Sequence, residues 1–407
     1  MKFNLLLLFT ILLMFQGSQL FALVEGKLGK LDVSASLRAT YDSKVFAMPT
    51  KDFNEIRKKN VSTEIESEDD LILSFSPAVH FSNKVGLLKL SGSAGVNITH
   101  YMLNDEKSFI VPTTSLSVDF DDTLALKKRI SNNAKIRFES TFDVGQVVGA
   151  SVLDQDLVSY TFINSGFNVR YNHSEKFGLG GGTSYSYRFY QTNRDSDNQL
   201  NFDFSTLPLS ARAFYIYSEK LDFFTNYTFS RSKADSGSDP ELTSSRSHSI
   251  SVGADGEFSS KLSGSASVGY SLLDFDYSGS PNQHNLITNL SFNWKYNSKT
   301  SSDISLSRAT APSATGQSTI STSLRSGLKH RFTDTWSGSA YISTGFTDYT
   351  TITEGSYSMT NHGLGINLSK KISQVLSASG GYDLTYSSSR GDSFVRHVLH
   401  GQITGRF

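Results

Sequence analysis

The chain has 407 residues with 38 basic and 38 acidic side chains, so its formal net charge is zero. This balance argues against a nucleic-acid partner and against a charged membrane patch. Cysteine is absent, which excludes disulfides, cysteine-ligated metals and a lipidated-cysteine anchor.

Met1 to about Ala22 reads as a secretory signal peptide. Lys2 precedes an almost unbroken apolar run from Leu5 to Phe15, and the small residues Gly17, Ser18 and Ala22 suit cleavage. The alternative, a retained helical anchor, needs roughly 20 apolar residues, more than this run supplies. Residues 23–407 then form a single domain in which no composition shift or linker appears. Tyr and Phe are frequent and Pro is scarce (18, 29 and 7 residues), and the apolar residues are spread thinly rather than concentrated for a core. That distribution suits a sheet whose outer face alone meets hydrocarbon.

The first strand begins near Leu31, too early to leave room for a plug. A polar loop over 47–69 ends in the acidic run Glu64, Glu66, Glu68, Asp69, Asp70. This run reads as a solvated rim or, more sharply, as a divalent-cation bridge. Arg57, Lys58 and Lys59 stand ready to pair with these acids and fold the loop over the mouth.

A short turn then recurs every 36 to 46 residues or so, about two strands and a longer connection. It appears at 81–85, 173–177, 217–221, 258–262, 296–300 and 332–336, with looser copies near 131–133 and 370–373. Each is flanked by period-two alternation. Leu221, Phe223, Tyr227 and Phe229 alternate with Asp222, Asn226, Thr228 and Ser230. Eight tight turns link sixteen strands, and one more at each end predicts eighteen, with sixteen as the alternative. Longer connections over 102–112, 148–157, 192–202, 232–244, 273–284, 309–318, 347–357 and 387–393 fall on the other rim. Aromatics beside the tight turns, among them Tyr171, Phe177, Tyr217, Tyr296 and Trp336, suggest an interfacial girdle. A soluble propeller repeats at a similar length but buries both faces of its inner strands. Here one face stays rich in Ser, Gly and Asn.

The last strand alternates Leu399, Gly401, Ile403, Gly405 and Phe407 with Arg396, His400, Gln402, Thr404 and Arg406. Phe407 is read as an assembly signal for the barrel assembly machinery. The fold class is therefore all-β, a closed antiparallel transmembrane barrel with short periplasmic turns and longer extracellular loops.

Tyr41-Asp42-Ser43-Lys44-Val45-Phe46 and Asp69-Asp70-Leu71-Ile72-Leu73-Ser74-Phe75-Ser76-Pro77, with the repeated turns and terminal Phe, resemble the β-barrel porin type 2 family. The resemblance implies a bacterial outer-membrane barrel acting as a pore, in some cases associated with envelope polysaccharide export. The family motif has no catalytic residue to carry over.

Candidate lumen-lining residues are Arg38, Arg137, Arg170, Arg188, Arg212, Arg325, Arg396, Asp143, Asp255 and Asp303. These charges either pair and stiffen a hydrated wall or form an arginine-lined constriction favouring anions. The nine histidines show no repeated spacing. His100 and His248 fall in the outward phase, so a hydrolase is the least supported reading, and no cofactor or metal is expected. The expected function is a passive pore for small hydrophilic solutes; the alternative is a non-enzymatic role in polysaccharide export or surface structure. Expected partners are outer-membrane lipid, lipopolysaccharide and those solutes or polysaccharides.

Overall fold

The computed structural model describes residues 24–26, 29–58, 65–121, 135–151, 156–191, 202–235, 244–277, 282–312, 318–350 and 356–407. The proposed signal peptide, Met1 to Ala22, and the turn expected at Ser131-Asn132-Asn133 lie outside them. A short β1 (Val24–Gly26) pairs with β2 (Gly29–Asp42), which is followed by helix α1 (Thr50–Lys58). Next come β3 (Asp70–Val85), β4 (Leu88–Tyr101), β5 (Phe109–Asp121), β6 (Lys135–Ser151) and β7 (Asp156–Asn172). They are followed by β8 (Phe177–Tyr190), β9 (Asp203–Ser218), β10 (Leu221–Asp235), β11 (Ser245–Glu257) and β12 (Leu262–Phe275). Then β13 (Gln283–Lys295), β14 (Thr300–Pro312), β15 (Ser318–Arg331) and β16 (Trp336–Thr350) lead to β17 (Ser356–Lys371), β18 (Leu376–Ser389) and β19 (Asp392–Arg406).

From β2 to β19 each strand pairs antiparallel with its chain neighbours, and β19 returns to β2. Among the described residues these eighteen strands close into a barrel. At the seam Val398 faces Asp42 and Arg406 faces Ser34. Phe407 and Val33 exchange backbone hydrogen bonds of 2.7 and 2.9 Å. Among the described residues, closure leaves none of these eighteen strands at an edge of the sheet, the condition for a sheet to sit in hydrocarbon.

The register carries the two-residue period around the ring. Tyr227 faces Ala211 on β9 and Ile250 on β11, so one face is apolar across all three strands. On that face Leu286, Ile342 and Leu399 are 56, 61 and 57% exposed. Aliphatic side chains this exposed on every side of a ring require an apolar surrounding. The opposite face of the sheet points into the barrel.

The tight turns owe their recurrence to one small polar residue. Ser174 and Ser259 each accept, on Oγ, the backbone N–H three residues on, from Phe177 (3.1 Å) and Leu262 (3.0 Å). Asn297 accepts from Lys299 and Thr300 at 2.8 Å, Thr333 from Trp336 at 3.0 Å, and Ser373 from Leu376 at 3.1 Å. A side chain that mimics a backbone acceptor closes the reversal without glycine.

Two connections differ from expectation. Phe81 to Val85 remain in β3, and the reversal is made by Gly86 and Leu87, with Gly86 at φ +62°. The Ser-Asn-Lys segment has the composition of the other turns, but the left-handed conformation falls to the glycine two residues later. The 387–393 segment is no long loop: β18 and β19 are joined by Arg390 and Gly391 alone, at φ +52° and +89°. Two consecutive positive φ values match the twist of a two-residue hairpin. Several other strands extend a few residues into the expected loops, as β6 does to Ser151 and β14 to Pro312.

The first long loop packs rather than floats. Val45, Phe46, Met48, Phe53 of α1 and Ile65 are buried with Tyr101 and Leu157, and Ile72 and Phe109 pack beside them. Ile72, Tyr101 and Phe109 are in the lumen phase, so the loop tucks onto the inner wall at the long-loop rim.

Candidate channel wall

The acidic run serves as the loop's anchor. Asp70, fully buried, accepts the backbone N–H groups of Met102 (2.8 Å), Leu103 (3.0 Å) and Asn104 (2.8 Å), and the Asn104 amide at 2.8 Å. Asn104 Oδ1 in turn accepts from the backbone of Glu66 and Ser67. Glu68 pairs with Lys44 and accepts from Thr50. Asp69 accepts from Tyr41 and Ser67, and the Ser67 hydroxyl holds its carboxyl below the usual range. Protein donors thus occupy Glu68, Asp69 and Asp70. Among the described residues no group of three or more His, Asp or Glu is arranged for a metal ion. Glu64 and Lys59 lie outside the described residues, as do the side chains of Arg57 and Lys58.

The predicted wall residues share the lumen phase but do not converge on one site. Arg170 on β7 donates to Asp222 on β10 at 2.7 Å and to Asn172 at 2.8 Å, with its guanidinium 4.4 Å from the Phe214 ring centre. Arg212 on β9 lies 4.0 Å over Phe224 and 5.6 Å from Phe214. A cation over an aromatic face is favoured, more so when partly dehydrated. The rings lie over glycines: a Cβ on Gly180 would come 2.9 Å from Phe214, and one on Gly253 2.7 Å from Phe224.

A second cluster crosses β15 to β19. Arg325 sits 3.6 Å over Tyr341, whose hydroxyl donates to Asp383 at 2.7 Å, and His400 approaches Asp383 at 3.7 Å. Tyr341 fills the space of a side chain at Gly365, where any Cβ would collide with the ring and with Asp383. Elsewhere Arg188 lies 5.5 Å over Tyr160, Arg38 donates to Thr40 at 3.1 Å, and Asp303 meets Lys329 at 3.7 Å. Arg396 clamps Asp42 across the seam. Arg137 faces Arg170, Asp143 faces Asn164, and Asp255 faces Asp222 across their strand pairs.

Sequence reasoning missed the inward aromatics Phe214, Phe224 and Tyr341. Their signal is an aromatic in the polar phase with a glycine on an adjacent strand, and it requires the register. It also missed a run of basic residues on the tight-turn rim. Lys295, Lys329, Arg331, Lys371 and Arg406 occupy the lumen phase on β13, β15, β17 and β19. Across the mouth Asp119, Glu139, Asp222, Asp255 and Glu257 are interleaved with Lys84, Lys89, Arg137 and Arg170. Two recesses of about 470 and 440 Å³ lie along the basic arc and share Arg331, Ser337 and Ser369.

Two Ser–His contacts occur, Ser34 with His80 at 2.8 Å and Ser108 with His100 at 3.0 Å. His100 is in the lipid-facing phase, and among the described residues no carboxylate pairs with His80. Among the described residues the Ser34–His80 contact therefore forms no relay of base and orienting acid.

A closed eighteen-stranded barrel with an apolar exterior and a charged, hydroxyl-rich interior is an outer-membrane porin-like barrel. The chain belongs to the family described as putative beta-barrel porin 2, whose model matches residues 34–407. It resides in the bacterial outer membrane, and family and fold point to a non-enzymatic channel. No curated protein matches it by sequence. Among solved structures it is similar to the outer membrane protein OpdK of Pseudomonas aeruginosa, at 12% identity and a TM-score of 0.47, covering 94% of this chain and 100% of that one. It is also similar to the siderophore receptor PirA of the same organism, at 11% identity and a TM-score of 0.43, covering 92% and 80%. A third is the FrpB iron transporter of Neisseria meningitidis, at 10% identity and a TM-score of 0.45, covering 88% and 62%.

Proposed function

We propose that the barrel is a passive pore for small hydrophilic solutes. The observation that carries this reading is the largely polar inner phase, in which Ser305 faces Arg325, Ser377 faces Lys371, and the inward rings Phe214, Phe224 and Tyr341 each back an arginine. Eighteen strands leave an interior wide enough for water, and paired or ring-stacked arginines keep that wall hydrated and stiff. Arg38, Arg137, Arg170, Arg188, Arg212, Arg325, Arg396, Asp143, Asp255 and Asp303 are its lining residues. Lipid and lipopolysaccharide surround the apolar face, and Phe407 serves as the assembly signal. Single-channel recording in planar bilayers tests the reading. A stable open conductance is the expected result; a barrel that inserts and never conducts would refute it.

A second reading, an exit for an envelope polymer, is favoured by the basic arc at Lys295, Arg331 and Lys371.

A further inference from the structure

We infer that the basic arc on the tight-turn rim binds an acidic glycan chain entering from the periplasm, an inference that rests on the second reading above. The arc runs from Lys295 on β13 to Arg406 on β19, six strand spacings or about 29 Å at roughly 4.8 Å each. Among the described residues, Lys295 and Lys371 have no carboxylate within salt-bridge distance, and the Arg331 guanidinium donates to the Ser298 carbonyl, at 3.5 Å. Asp303 reaches Lys329 at 3.7 Å and Asp32 reaches Arg406 at 3.1 Å, while Asp334 and Lys299 also line the recesses, so three acids stand against six cations.

Length and lining choose the ligand. A single small anion fills one recess, whereas the two recesses join through Arg331 and continue along the rim. Between the cations the inner wall offers Asn293, Ser339, Asn367, Ser369 and Thr404. Hydroxyls and amides that donate and accept match a hydroxylated chain bearing regularly spaced carboxylates. The rim is periplasmic because the tight turns of such barrels face that side.

Polygalacturonate is the probe, with dextran as the uncharged control and polyglutamate as the polypeptide arm. In planar bilayers polygalacturonate should reduce conductance from the tight-turn side at concentrations on the order of tenfold lower than from the other side. Binding to the detergent-solubilised full barrel should weaken on the order of tenfold in a K295S/K371S variant, and steeply with salt. D119N, on β5 across the mouth, should not weaken it. Retained gel mobility of the unheated barrel confirms that each variant is folded. Binding unchanged in K295S/K371S, or matched by dextran, would overturn the inference, and equal binding of polyglutamate would overturn the glycan assignment. A barrel that binds polygalacturonate but never conducts loses the passive-pore reading and keeps this one.

Discussion

Arg396 and Asp42, 354 residues apart, are joined across the seam: Arg396 Nε donates to Asp42 Oδ1 at 2.9 Å, and a second guanidinium bond goes to Oδ2. Asp42 is nearly buried, its side chain 3% exposed, while Arg396 is 31% exposed. Truncating the arginine leaves a buried carboxylate supported by the Lys44 backbone N–H at 3.0 Å. R396A should therefore destabilise the barrel by about 2 kcal/mol. Urea unfolding in lipid vesicles measures this, and a cycle with D42A isolates the coupling. Additive single effects would refute the clamp.

The two faces of β10 differ in tolerance to charge. Tyr227 faces lipid near the middle of the strand, and Thr228 faces the lumen. Y227R should cost about 2–4 kcal/mol and T228R much less. Equal losses on folding into lipid would reverse the face assignment.

Asp70 holds three consecutive backbone N–H groups that have few other acceptors. D70A should loosen the loop contacts by about 2–3 kcal/mol, seen as faster protease cleavage between residues 43 and 69. D70N keeps one carbonyl acceptor and should fall between the two. Unchanged cleavage in D70A would show that the apolar cluster holds the loop alone.

Asp276, just beyond β12, receives two bonds from Arg231, one of them at 2.8 Å, and Arg231 holds its carboxyl below the usual range. A depressed carboxylate stabilises the fold fully above its unfolded value near about 3.9 and loses that contribution as pH falls through the lower folded value. Both side chains are partly exposed, so the contribution is about 1 kcal/mol. Wild type should exceed D276N at pH 6 and converge with it under acid. A constant difference across the range would exclude the pair as its source.

How much of this was legible in sequence depended on distance along the chain. Strand number and facing were legible because alternation is local: Leu221 to Phe229 show their phase without any partner. The true turn at Gly86 was hidden because Ser82-Asn83-Lys84 has the composition that closes the other turns. The Ser and Asp residues flanking Arg390-Gly391 read as loop, although Ser387, Ser389 and Asp392 continue the polar phase of β18 and β19. Asp70 looked like one of several rim acids, since its partners lie more than thirty residues away. The lumen charges were legible as a phase. Their division into aromatic-backed clusters and a basic arc depends on register across strands.

The seam also governs time. Its contacts join residues 354 to 374 apart, so no local event prefigures them. Chain-closure entropy grows only by about 0.6 kcal/mol per doubling of loop length, so the seam adds little to the thermodynamic cost. Its burden is kinetic, because pairing this remote must follow the hairpins that bring it about. Until then β2 and β19 each present an open edge, and a slower closure lengthens the interval in which another chain can occupy it.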